Sequence, residues 1–139
     1  MAFNSRTIAA IAGVTLVAIA GVIAAQNPGI TRTVVTRADV SVPDREAIVA
    51  RIDVAPGGIV GWHTHAGDEI SYVTEGEVTL MIAGQAPRRI ATGEAFVVPA
   101  GVVHNGRNEG AAAARLVGVF VVEKGKPLAS PVPEPAKQP

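Results

Sequence analysis

Cysteine is absent from the 139-residue sequence. That excludes a disulfide scaffold, thiol catalysis and any thiolate metal site, so a bound metal must be held by nitrogen and oxygen. Aromatic residues make up only 4% of the chain, and the core must therefore be built mainly from Val, Ile, Leu and Ala. Charge of one sign is also missing: 12 basic residues balance 12 acidic ones, for a formal net charge of +0. No basic face offers itself to nucleic acid and no acidic tail is present. The chain carries no Gly-x-Ser-x-Gly elbow, no phosphate loop and no dinucleotide fingerprint.

What is there points to strands. The length suits one domain. Hydrophobic residues reach 48%, with 15 glycines and 10 prolines to punctuate them. Valine and isoleucine favour strands. Thr31 to Ala38 reads as an edge strand, and Arg45 to Val54 alternates charged and apolar residues with the period of a half-buried strand. Extended segments follow at Ile59 to His65, Glu69 to Thr74, Glu77 to Ala83, Pro87 to Ile90, Ala95 to Val98, Val102 to Arg107 and Arg115 to Val122. Gly76, Gly84, Gly93 and Gly101 fall between them at turns. Many short strands at near-regular spacing indicate a barrel or a sandwich.

The two ends differ from this middle. Residues 1–25 place one basic residue, Arg6, before an apolar run from Ile8 to Ala25. This is the pattern of a secretory signal peptide cut after Ala24 or Ala25, and the rival reading is an uncleaved membrane anchor over residues 8–25. The expected location is periplasmic or secreted, with no stable membrane partner once the segment is removed. Residues 26–30 form a linker. Residues 124–139 are rich in proline, which should prevent them from continuing a sheet, so a polyproline-like or solvated tail is expected.

Histidine is concentrated. All three of the chain's histidines lie in two short stretches. Residues i and i+2 of a strand share a face, so His63 and His65 would project side by side. A turn at Ala66-Gly67-Asp68 would bring Glu69 back beside them, and His104 follows a Pro-Ala-Gly turn at Pro99 to Gly101. Three imidazoles and a carboxylate suit a divalent transition metal.

The spacing Gly57, His63, His65, Glu69, Gly76 fits the first cupin motif, and Gly93, Pro99, Gly101, His104, Asn108 fits the second. The sequence therefore resembles a small single-domain cupin, a jelly-roll β-barrel, with the likeness extending over residues 31–123. No second pair of motifs is present, so one barrel is expected and not two. The resemblance implies that His63, His65, Glu69 and His104 ligate one divalent ion, which could be Fe, Mn, Ni, Zn, Co or Cu. It leaves Glu69 two roles, a permanent ligand or a catalytic general base like its counterpart in flavonol-cleaving cupins. Small-molecule chemistry is implied. A dioxygenase acting on an enolic or phenolic compound, a non-catalytic ligand- or metal-binding module, and an oxygen-independent isomerase or lyase all remain open. Cupins commonly pair through edge strands, so a homodimer is expected.

Other residues are assigned by parity. Trp62 should face away from the histidines, Ser71 and Val73 toward them, and Tyr72 outward. Asn108 reads as a turn or supporting residue. Arg88, Arg89 and Arg107 are surface cations by default and anion ligands at most.

Overall fold

A computed structural model describes residues 29–136, and the apolar segment at residues 1–25 lies outside them. The described residues form strands and no helix. Ten strands run in chain order: β1 (Ile30–Asp39), β2 (Arg45–Val54), β3 (His63–Thr64), β4 (Gly67–Glu75), β5 (Glu77–Ile82), β6 (Arg88–Ala91), β7 (Ala95–Val98), β8 (His104–Arg107), β9 (Ala114–Glu123) and β10 (Ser130–Pro131). They make two antiparallel five-stranded sheets, ordered β1-β2-β9-β4-β7 and β10-β3-β8-β5-β6. The fold is the all-β jelly roll that the strand spacing and motifs indicated.

The alternation in β2 does what period two requires. Ile48, Ala50, Ile52 and Val54 are buried, while the residues between them are more exposed. β9 alternates in the same way, with Leu116, Phe120 and Val122 inward. These residues pack with Val78, Leu80, Ile90, Phe96 and Val98 into one core. Phe120 is fully buried at its centre. With so few aromatics, this ring and that of Phe96 fill space that the aliphatic side chains leave.

Three expectations change. The segment from Ile59 to His65 is not one strand: only His63 and Thr64 lie in β3, and Ile59 makes an isolated bridge to Arg107. The turn before Glu69 is shorter than Ala66-Gly67-Asp68, because β4 already begins at Gly67. The Pro-rich tail is not solvated and unpaired throughout its described residues. Ser130 pairs with Thr64 and Pro131 with His63, so β10 continues the second sheet at its edge. Proline lacks an N–H and is tolerated at a sheet edge, and the Val132 amide donates to the Trp62 carbonyl at 3.0 Å. Leu128 packs against the core on the way.

Candidate metal centre

Both sheets contribute to one point in the interior. β3 and β8 pair so that His63 stands directly opposite His104, and their ring centres lie 4.2 Å apart. His65 follows just past the end of β3. Glu69 comes from β4 in the other sheet, paired with Phe120 on β9 and Val98 on β7. The four side chains are buried, and their donor atoms all lie within 4.8 Å of one another. The structure thus brings together every residue that the motifs singled out as a ligand.

The orientation of each ring is fixed from behind. The Nδ1 of His63 lies 2.8 Å from the Gly61 carbonyl and that of His104 lies 2.9 Å from the Val102 carbonyl. In both cases the ring turns back on a carbonyl two residues earlier in the chain. His65 instead reaches the carbonyl of Leu128, far away in the C-terminal segment. A carbonyl only accepts, so each Nδ1 carries a proton, and a neutral ring turns the lone pair of its Nε2 to the cluster. Those Nε2 atoms converge. His65 Nε2 lies 2.9 Å and His104 Nε2 3.2 Å from the same Glu69 oxygen, Oε2, and the His63 and His65 Nε2 atoms are 3.2 Å apart. Electron pairs aimed at one another need a cation or a proton between them. The donor set therefore fits a divalent metal ion, and in its absence protons must share the position.

Glu69 is also held. The Ser71 hydroxyl donates to its Oε1 at 2.7 Å, which leaves Oε2 for the imidazoles. Ser71 and Val73 face inward, while Tyr72 faces out, as their parity required. The two motif turns are stitched to each other: the Gly101 amide donates to the His65 carbonyl, and the Ala100 amide to Asp68. The Asn105 side chain accepts from the Gly61 amide at 2.9 Å, which steadies the carbonyl that holds His63. Asn108 donates to the Val54 and Ala112 carbonyls and accepts from the Gly110 amide, a turn-shaping role. Arg89 and Arg107 pair with Glu77 and Glu109 away from the cluster, and Arg88 is exposed.

The supporting carbonyl of Leu128 was not legible from spacing. A backbone group carries no sequence signal, and proline argued against pairing. It yields a prediction. A chain ending at Lys126 loses that acceptor and should bind divalent metal about 10- to 100-fold more weakly, the usual cost of losing a partner behind a histidine ligand. Metal titration by calorimetry checks this, and unchanged affinity would show that the tail is dispensable to the centre.

Burial also shifts the acid–base behaviour. His63 is pushed down to about 4, first by desolvation, against the pull of the Gly61 carbonyl and with help from His104 and His65. Burial favours the protonated form of Glu69, but hydrogen bonds from His104, His65 and Ser71 outweigh it and hold the carboxyl well below its usual range. Both depressed values act in the same direction. The unfolded chain takes up a proton at His63 near 6.5, while the folded one waits until about 4. The stability from His63 is therefore complete above 6.5 and lost as pH falls to 4. The contribution of Glu69 is lost only at lower pH, below its ordinary 4.5. Chelator-treated protein is expected to lose on the order of 3 kcal/mol through His63 between neutral pH and pH 4. Urea midpoints across that range test it, and a flat profile would contradict it.

A jelly-roll barrel enclosing three histidines and a glutamate defines a class of small β-barrel with an interior metal-type site. Residues 50–122 match the cupin domain, and the chain belongs to the cupin family. Nectarin-1 of Nicotiana langsdorffii x Nicotiana sanderae is 38% identical over 111 residues, which cover 70% of this chain and 48% of nectarin-1. The chain spans about half the length, or less, of the curated relatives that it matches. A double-stranded β-helix protein from Klebsiella pneumoniae superposes with a TM-score of 0.62 at 22% identity, over 75% of this chain and 87% of that one, a likeness of fold. Recombinant oxalate oxidase in complex with glycolate superposes with a TM-score of 0.54 at 30% identity, over 66% of this chain and 50% of that one.

Proposed function

We propose that His63, His65, Glu69 and His104 hold one divalent transition metal ion and that the chain is a metal-dependent oxidoreductase, a dioxygenase of a small enolic or phenolic compound. The observation that carries the metal reading is the convergence of the His65 and His104 Nε2 atoms on Oε2, with the His63 Nε2 beside that of His65 and each ring tied through Nδ1 to a carbonyl. The likeness to an oxalate oxidase supports oxidation chemistry. The cavity beside the cluster supports a small substrate. It is lined by His63, Glu69 and His104 together with apolar residues such as Val78, Leu80 and Phe96.

Held by these four side chains, the ion would supply a Lewis acid for oxidation of a chelating substrate. The protein's own part is positioning. The carbonyls of Gly61, Val102 and Leu128 set the tautomers, and Ser71 anchors Glu69. That anchor favours Glu69 as a fixed donor. A general-base role would require the Ser71 bond to break first, and Ser71→Ala would make it easier. Apolar walls keep bulk water from the reacting groups.

Metal-loaded protein is expected to consume oxygen with an enolic or phenolic compound, and a His63→Ala variant is not. Equal rates in the two would remove the oxygenase reading. Turnover without oxygen would make the protein an isomerase or lyase, and stoichiometric metal with no turnover would make it a binding module. Export rests on the apolar residues 8–25, and mass spectrometry of the native protein showing an intact Met1 would rule out cleavage. Pairing of two copies through β1 rests on its edge position and its exposed Val34 and Val35. A strict monomer by light scattering would refute it.

A further inference from the structure

In the sequence Arg32 is one cation in a β-forming run. In the fold it lies on β1 opposite Ile52, whose side chain is buried, so it faces inward. It borders the same cavity as His63, Glu69 and His104. Its guanidinium carbon sits 5.9 Å from the centre of the Phe120 ring, within cation–π range. The same ring packs on His65 at 4.9 Å.

This cation lacks what most of the described arginines have. Arg37, Arg45, Arg51, Arg89, Arg107 and Arg115 each pair with a carboxylate. Among the described residues no carboxylate lies within ion-pair distance of Arg32, and its Nε is shut off from solvent with no hydrogen-bond partner. Burial lowers its pKa and the Glu69 carboxylate partly offsets that, but a guanidinium stays charged. Placing an unpaired cation against a wall of Ile52, Val54 and Leu116 is unfavourable unless something anionic meets it. A guanidinium presents a planar fork that matches a carboxylate with two parallel hydrogen bonds. Its position beside the cluster lets one small molecule touch both.

We propose that Arg32 anchors the carboxylate of the molecule that the cavity takes, which makes the ligand class a small organic acid such as an enolisable keto acid or a phenolic acid. This rests on the reading of the cluster as a metal centre with a substrate cavity. The rest of the ligand lies along the apolar wall, and its oxygen donors face the histidines. Arg32 is then a residue of specificity: it selects acids over their neutral analogues.

The test uses the full chain, metal-loaded, with malonate and its neutral analogue malonamide as probes. Metal content is measured before and after each titration. Wild-type protein is expected to bind malonate at least about tenfold more tightly than malonamide, and Arg32→Gln to lose at least about tenfold in malonate affinity with malonamide unchanged. Arg32→Lys should fall between, keeping the charge without the fork. Equal malonate affinity in wild type and Arg32→Gln overturns the proposal, as does a wild type indifferent to the probe's charge. Should the wild type take up no metal, the proposed centre fails. The role of Arg32 is then decided by chelator-treated protein: protection by malonate against thermal unfolding that vanishes in Arg32→Gln supports it, and equal protection in both overturns it.

Discussion

His104→Ala is expected to lower affinity for divalent transition metal on the order of a hundredfold or more, beyond the cost of losing a supporting partner. His104 contributes one of the Nε2 atoms that meet at Glu69 Oε2, and it faces His63 across the β3–β8 pair. Nothing else in reach can replace it, because all three histidines of the chain are already in the cluster and cysteine is absent. A thermal measurement separates this from misfolding. A metal present at a thousand times its dissociation constant stabilises the folded state by ~4 kcal/mol, which raises the melting temperature of a domain this size by upwards of ~10 °C. Wild type should show that rise on adding metal. His104→Ala should melt cooperatively and show almost none. A variant that still gained the full increment would mean that the ion, if any, sits elsewhere.

Gly67→Ala is expected to destabilise the protein by about 3 kcal/mol or more. Gly67 opens β4 opposite Val122 on β9. A Cβ there would lie 2.0 Å from the Val121 carbonyl oxygen and 2.5 Å from the Val122 Cα. Both are backbone atoms of a paired strand, so β4 and β9 would have to separate where Glu69 leaves for the cluster. Metal affinity should therefore fall along with stability. Gly93→Ala is the control. Gly93 has φ +88 but nothing within 4 Å of its Cβ position, so only the backbone penalty of about 1–2 kcal/mol applies. Urea unfolding of both variants measures the contrast. Gly67→Ala as stable as Gly93→Ala would show that the strands move apart at little cost.

Much of this was legible in the chain, for local reasons. β2 announced itself because one of its faces is buried along its whole length, which leaves a strict alternation. The ligand set could be read because two strand-spaced histidines and two turn-delimited motifs leave few geometries open. The missing parts depend on contacts between distant segments. β10 is two residues long and contains proline, so its pairing with β3 has no periodic signature. The acceptor behind His65 is a backbone carbonyl, which any residue supplies. Arg32 sits in an edge strand whose residues are mostly exposed, and only the register against Ile52 shows which way it faces. Gly67 reads as a loop glycine until β9 is seen lying against it. Local pattern specified the barrel and the donors, whereas the supports and the charge lining the cavity came from packing.

Elemental analysis of the protein purified from its native compartment tests the centre most directly. The expected result is close to one equivalent of a single divalent transition metal per chain, absent from a His63→Ala, His104→Ala double variant. Protein that arrives metal-free, and then takes up none of Fe, Mn, Co, Ni, Cu or Zn at micromolar concentration, would contradict it.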